Sequence, residues 1–327
     1  MKYLCTKQFI VMLEPLLYKG DSRDKASARA KQSSFRESMG CGFDPNHRLG
    51  KYGAFLLPDD ARDGKNFYEG FRQEILDAIK ERYPANVKHR LYNPQGLFCN
   101  MLRSEHIPWN IFIPMRLTPS SLERAAKVLN ALLGEGTIDR ITDIRIEWAP
   151  PYEKCLNDGT SFDTYIEYEK NGERCGVGVE VKYTEVGYPL TNPHEVEQLK
   201  DRESPYARIT ESCGFFVPDV YKAPLMETKL VKNDYRQIWR NHILGASMLL
   251  NEDRSIRISN FHSITLYPSG NKHFGKVIPE YERLLTPYGR STFMGVTFER
   301  LFELLDKYYQ EPEYKDWIAY LNRRYPF

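Results

Sequence analysis

Asp163, Glu180 and Lys182 are the residues of this chain whose types and spacing most directly suggest chemistry. They lie in the stretch 161–185, SFDTYIEYEKNGERCGVGVEVKYTE, where two runs rich in Tyr, Phe, Ile and Val flank Asn171-Gly172. Asn-Gly between such runs predicts a two-residue type I′ hairpin, because both central residues of that turn need φ > 0. The turn sets the register: Lys170 faces Glu173, Glu169 faces Arg174, and Asp163 falls opposite Glu180. Carboxylates directly opposite across strands have Cβ atoms roughly 5 Å apart and repel. A divalent cation between them reverses the sign of that interaction, and Mg²⁺ typically takes one or two carboxylates and keeps several waters. Lys182 stands about 7 Å further along the same face, where its ammonium can reach a water or a phosphate oxygen. A metal, a water and a cation are the parts of metal-assisted attack on a phosphodiester.

Strand alternation sorts the hairpin into two faces. One carries Phe162, Thr164, Ile166 and Tyr168 with Cys175, Val177, Val179, Val181 and Tyr183, and reads as core. The other carries Ser161, Asp163, Tyr165, Glu167 and Glu169 with Arg174, Gly176, Gly178, Glu180 and Lys182. It is expected to be polar, with open space above its two glycines.

The flanking elements follow from periodicity and breakers. Residues 1–19 allow a strand or a helix. Residues 20–39 are polar and mostly basic, fitting a solvated helix or an arm that contacts phosphates. Residues 40–65 read as loop. Residues 66–83 predict a helix with Phe67, Phe71, Ile75 and Ile79 on one side and Asn66 at its cap. A second helix is expected over 95–107, and a short strand or turn over 109–115. Thr118-Pro119 opens a helix that Gly134 stops. Residues 141–148 alternate as a strand, with Ile144, Ile146 and Trp148 inward and Glu147 outward. Beyond the hairpin come helices over 194–203 and 234–250, a strand over 261–268 and a closing helical segment over 279–310. On the helix over 234–250, Gln237, Arg240 and Asn241 share a side at i, i+3, i+4 spacing. His242 reads as a structural histidine.

Asp163 followed by Glu180-Val181-Lys182 on the next strand resembles the PD-(D/E)XK nuclease superfamily, the restriction-endonuclease-like fold. Over roughly 95–270 the chain is similar to an uncharacterised bacterial group described as restriction endonucleases. That likeness is carried by Ile146-Glu147-Trp148, Ser161-Phe162-Asp163, Glu180-Val181-Lys182-Tyr183 and Gln237-Ile238-Trp239-Arg240. Phe162 stands where the superfamily motif has proline. The resemblance implies a mixed α/β fold, an αβββαβ core whose central mixed sheet is flanked by helices, with helical additions at both ends. The corresponding division is an N-terminal basic extension over 1–93, a nuclease-like core over 94–275 and a C-terminal helical segment over 276–327.

The resemblance also implies roles. Asp163 and Glu180 hold Mg²⁺, or Mn²⁺ in its place, with help from the Val181 carbonyl. Lys182 serves the attacking water and the transition-state charge. Glu147, on the neighbouring strand, is the candidate third acid or else an ordinary exposed strand residue. Glu105 on the preceding helix is a weaker candidate. Gln237 resembles the glutamine that many members direct into the site, and Arg240 would offer two donors to a phosphate or be an ordinary surface arginine.

Composition bounds the partners. With 327 residues, 13% aromatic and 28% charged, the chain can bury a sizeable core and is not disordered. A net charge of +2 announces no nucleic-acid partner in bulk, so any such partner must meet a local patch. None of the six cysteines (Cys5, Cys41, Cys99, Cys155, Cys175 and Cys213) are at C-x-x-C spacing, which fits reduced thiols rather than zinc ligands. No stretch reaches the length of a membrane span, and the expected location is the cytoplasm. The expected activity is an Mg²⁺-dependent phosphodiesterase acting on double-stranded DNA, compatible with a homodimer. The alternatives are a catalytically inactive nucleic-acid-binding module with the same fold, or an unrelated α/β protein whose charged hairpin face is simply solvated.

Overall fold

Asn171 and Gly172 have φ of 52° and 78°, the pair of positive angles a type I′ turn requires. Strands β2 (Phe162–Lys170) and β3 (Glu173–Val181) pair antiparallel around that turn, from Lys170↔Glu173 to Thr164↔Val179, in the expected register. The computed structural model describes residues 18–84, 93–187 and 189–327. The expected element over 1–19, apart from its last two residues, and Cys5 lie outside them.

The hairpin is the centre of a five-stranded mixed sheet in the order β1-β2-β3-β4-β5. β1 (Arg140–Trp148) pairs antiparallel with β2. β4 (Phe261–Tyr267) pairs parallel with β3, and β5 (Phe293–Thr297) parallel with β4. A parallel neighbour needs a crossover, and here it runs through three helices, Pro193–Lys200, Pro205–Ser212 and Arg236–Leu249. With the helix Pro119–Leu133 leading into β1, the expected αβββαβ order is present. That first helix starts as the sequence suggests. Thr118 caps it by accepting from the Ser121 amide, Pro119 sits where no amide donor is needed, and Gly134 ends it at φ 117°.

Each face of the sheet has its own apolar cluster. The first face packs Ile144, Ile166, Val177, Val179 and Val181 against helical residues such as Leu129, Phe302 and Trp317. Ala28 and Phe35 from the N-terminal helix join the same cluster, so residues of all three sequence segments share one core. Fully burying side chains of this size contributes roughly 1.5–3 kcal/mol each.

The second face corrects the expectation of an open polar surface. Tyr165 and Phe162 pack there with Trp239, Ile243 and Phe261. A Cβ on Gly176 would fall 2.5 Å from the Tyr165 hydroxyl, and one on Gly178 would fall 2.4 Å from the Phe162 ring. The glycines therefore make room for aromatic rings of their own sheet. Charge is left at the two ends of this face: toward the turn, where Glu167 and Glu169 pair with Arg145 and Arg140, and past Gly178, where Glu180 and Lys182 lie.

Other differences have local causes. The basic stretch forms the helix Arg23–Ser38, but it is not simply solvated. Arg29 pairs with Asp21 at 2.5 Å, and Arg36 donates to the Gly53 carbonyl at 2.8 Å. Asn66 is fully buried and caps nothing; its amide donates to the Leu97 carbonyl, and the helix proper is Arg72–Arg82. The second helix shortens to Pro94–Phe98, and 109–115 is helical, as Ile107–Phe112 and Pro114–Arg116, because its apolar residues are buried on every side. β5 interrupts the expected closing helical segment. The five described cysteines are free thiols. Among the described residues no helix is long and apolar enough to cross a membrane.

Candidate active site

The end of β3 carries two charges inward. Glu180 and Lys182 are only 6% and 3% exposed. The Lys182 amide donates to the Leu266 carbonyl of β4 at 2.8 Å, which extends the pairing past Val181 and fixes where the lysine points. Its ammonium lies 2.5 Å from Glu180 Oε1 and 2.5 Å from Gln237 Oε1. Gln237 and Asn241 stand one turn apart on the helix Arg236–Leu249, and Asn241 donates its amide to Glu180 Oε2. Both oxygens of Glu180 thus have donors, one cationic and one neutral.

Three acids stand abreast on three adjacent strands. The β1–β2 ladder pairs Ile146 with Thr164 and Trp148 with Phe162, so Glu147 lies across from Asp163. The recorded β2–β3 pairing ends at Thr164↔Val179; Asp163 and Glu180 are the residues just beyond it on each strand, and the charge of Glu180 acts on the Asp163 carboxyl. Asp163 Oδ2 accepts from the Val181 amide at 2.6 Å, while Asp163 and Glu147 both keep some solvent exposure.

Electrostatics reports the crowding. Burial, then the charges of Glu180 and Glu147, hold the Asp163 carboxyl well above the ordinary carboxylate range, against the opposing pull of Lys182 and the Val181 amide. Burial, then Glu180 and Glu105, push the Glu147 carboxyl up to about 7, against Arg82 and a hydrogen bond from Ser161. Glu105 is itself held by Arg103, whose Nε lies 3.0 and 2.9 Å from its two oxygens.

Oxygen donors of this kind suit a hard divalent cation. Raised carboxyls facing one another are what such an ion would relieve, so Asp163, Glu147 and Glu180 fit one chemically. As the side chains stand, no group of three or more His, Cys, Asp or Glu among the described residues closes on a metal position. Lys182 and Asn241 take up Glu180, and the Val181 amide takes one oxygen of Asp163.

The other residues singled out in the sequence fall elsewhere. Arg240 shares the helix with Gln237 but turns into a separate network. Its Nη2 donates to Asp158 at 2.7 Å and to Thr160 at 2.6 Å, and Glu195 lies 3.5 Å from Nη1. Its Nη2 donors meet protein acceptors rather than an open surface. His242 is fully buried between the Tyr281 hydroxyl at 3.1 Å and the Thr292 hydroxyl at 2.8 Å, a structural setting. Ser161, Asn241 and Arg82 were not singled out as site residues. Asn241 carries a sequence signal in its one-turn spacing from Gln237, and Ser161 in its place beside Asp163; Arg82 carries none.

A family model described as the PD-(D/E)XK nuclease superfamily matches residues 19–327. No curated protein and no solved structure matches the chain.

Proposed function

Since the chain belongs to the PD-(D/E)XK nuclease superfamily, we propose that it is a divalent-metal-dependent endonuclease acting on double-stranded DNA. The observation that carries this reading is the row of Glu147, Asp163 and Glu180 on adjacent strands, with the carboxyls of Asp163 and Glu147 raised and the Lys182 ammonium beside Glu180.

Asp163 and Glu180 would hold Mg²⁺ or Mn²⁺, with Glu147 as the third acid. Bound there, the ion would activate water and neutralise charge on the scissile phosphate. Gln237 and Glu180 fix the Lys182 ammonium from two sides, so that it positions the attacking water and faces the negative charge that develops on the phosphoryl oxygens. Asn241 holds one oxygen of Glu180 in place.

Support for a nucleic-acid path comes from a neighbouring cleft of about 410 Å³, lined by Lys25, Arg29, Arg103 and Thr184. It begins two residues past Lys182 and adjoins Arg103, the partner of Glu105. Arg29 is tied to Asp21, whereas Lys25 makes no ion pair among the described residues. Glu185 also lines the cleft, and Lys25 is the cation there that a duplex backbone would meet.

Supercoiled plasmid incubated with the purified protein is the test. Nicking or linearisation should need Mg²⁺ or Mn²⁺ and should vanish in Asp163→Asn, Glu180→Gln and Lys182→Met. Undiminished cleavage by Glu180→Gln would remove the assignment. The second reading, a non-catalytic nucleic-acid-binding module, draws on the two donors already taken by Glu180. DNA binding that is equal with and without Mg²⁺, and never followed by cleavage, would favour it.

A further inference from the structure

β1 ends on a backbone conformation that L side chains rarely adopt. Glu147 has φ 52°. The other non-glycine residues with positive φ among the described residues are Asn157 and Asn171, the type that tolerates this region best. A glutamate has no such tolerance and must be held there by its surroundings.

The packing shows what the conformation does. Ile144 and Ile146 lie in the core on the first face of the sheet. Trp148 packs on the second, its ring 4.2 Å from that of Tyr165. A regular strand keeps residues i and i+2 on one face, so the chain makes a half-turn at Glu147. The same half-turn sets the direction of the Glu147 side chain, whose carboxyl has a hydrogen bond with Ser161 and feels the charges of Glu180 and Glu105.

One side chain grips the backbone at this point. Arg82, the last residue of the helix Arg72–Arg82, donates both Nε and Nη2 to the Glu147 carbonyl, at 2.9 and 2.7 Å. Two donors of a rigid planar group on a single acceptor fix the orientation of that peptide as well as its place.

We propose that Arg82 is a positioning residue for the cation site. By holding the Glu147 peptide in its left-handed conformation, it keeps the Glu147 carboxylate in the row with Asp163 and Glu180, and so sets the affinity for a divalent ion. This rests on the reading of that row as a cation site. Partners that orient ligands without touching the metal typically change affinity 10- to 100-fold when removed.

The test is calorimetric titration of Mn²⁺ into the full chain, as wild type, Arg82→Met, Glu147→Gly and the double variant. Glycine adopts positive φ without help, so Glu147→Gly removes both the carboxylate and the need for the clamp. Arg82→Met should weaken Mn²⁺ binding about tenfold, and Arg82→Lys, which keeps one donor, less than that. In the Glu147→Gly background, Arg82→Met should change nothing further. Unaltered affinity in Arg82→Met would overturn the inference, as would an equal loss in both backgrounds, since Arg82 would then act by another route. Should Arg82→Met fail to fold, as circular dichroism would show, Arg82→Lys in the two backgrounds makes the same comparison. A wild-type chain that takes up no Mn²⁺ would instead strike at the underlying cation-site reading, and the inference with it.

Discussion

Asp158 and Asp163 lie on either side of Ser161, and their carboxyls respond to their surroundings in opposite directions. Burial alone would raise both. Asp158 is nevertheless held below its ordinary value by Arg240, a hydrogen bond from Tyr206 and two from Thr160. Around it, two cations meet two acids: Arg240 pairs with Asp158 and Glu195, and Arg236 pairs with Glu195 at 3.0 Å. Asp163 has one backbone donor and two neighbouring acids, and its carboxyl is raised. Both clusters touch the same helix, Arg236–Leu249. The balanced one joins that helix to the β1–β2 connection and to the helices Pro193–Lys200 and Pro205–Ser212. The unbalanced one sets three acids beside Lys182, and the carboxyls of two of them are raised, as titratable groups at functional sites often are.

The contrast breaks most sharply on paired substitutions. Asp163→Asn removes a crowded carboxyl and should abolish cleavage, by about a thousandfold or more in rate, while leaving the metal-free protein as stable as the wild type or more so. Asp158→Asn strips Arg240 of a partner and should cost about 3 kcal/mol of stability, with cleavage per folded molecule kept to within about tenfold. Plasmid nicking beside thermal unfolding reads both. Equal losses in activity and stability for the two variants would erase the distinction between the clusters.

A titration sharpens it. The folded carboxyls of Glu147 and Asp163 sit above their unfolded values. Their contribution to stability is therefore full below the unfolded value, about 4.5 for Glu147, and is lost as pH rises, through about 7 for Glu147. Asp158 has the opposite sign: its contribution is full above its unfolded value and fades as pH falls through its lowered folded one. Unfolding of the metal-free protein between pH 5 and 8 should show stability falling with pH, and Mn²⁺ should reverse the trend. Below pH 7 the apparent Mn²⁺ affinity should drop about tenfold per pH unit for each proton displaced.

Gln237→Ala should lower the cleavage rate about tenfold, less than any change at Asp163, Glu180 or Lys182, because Glu180 still holds the ammonium. Smallest of all, Lys25→Glu should weaken DNA binding a few-fold and reduce its salt dependence by about one counterion. Fluorescence anisotropy across a salt series reads this, and an unchanged slope would take the cleft out of the path.

The sequence carried the hairpin because a single local requirement, positive φ at Asn171 and Gly172, sets the register of everything paired across it. It also carried the one-turn spacing that brings Gln237 and Asn241 to the same end of β3. What stayed hidden depends on partners distant in the chain. Arg240 looks like a surface arginine until Asp158 and Glu195 fold against it. Gly176 and Gly178 look like open space until Tyr165 and Phe162 lie over them. The alternation of Ile144, Ile146 and Trp148 gives no sign of the half-turn at Glu147, since that turn is held from a different helix by Arg82. β5 is a five-residue strand between two amphipathic helices, too short for its period to stand out.

The most direct test is to count the protons released when Mn²⁺ binds at pH 6.5, by calorimetry in buffers of different ionisation enthalpy. Carboxyls raised by burial and by their neighbours give up protons when they ligate the ion, so the wild type should release about one to two per Mn²⁺ bound and Asp163→Asn should lose most of both binding and release. Binding without proton release, or equal binding by Asp163→Asn, would contradict a cation site built from these acids.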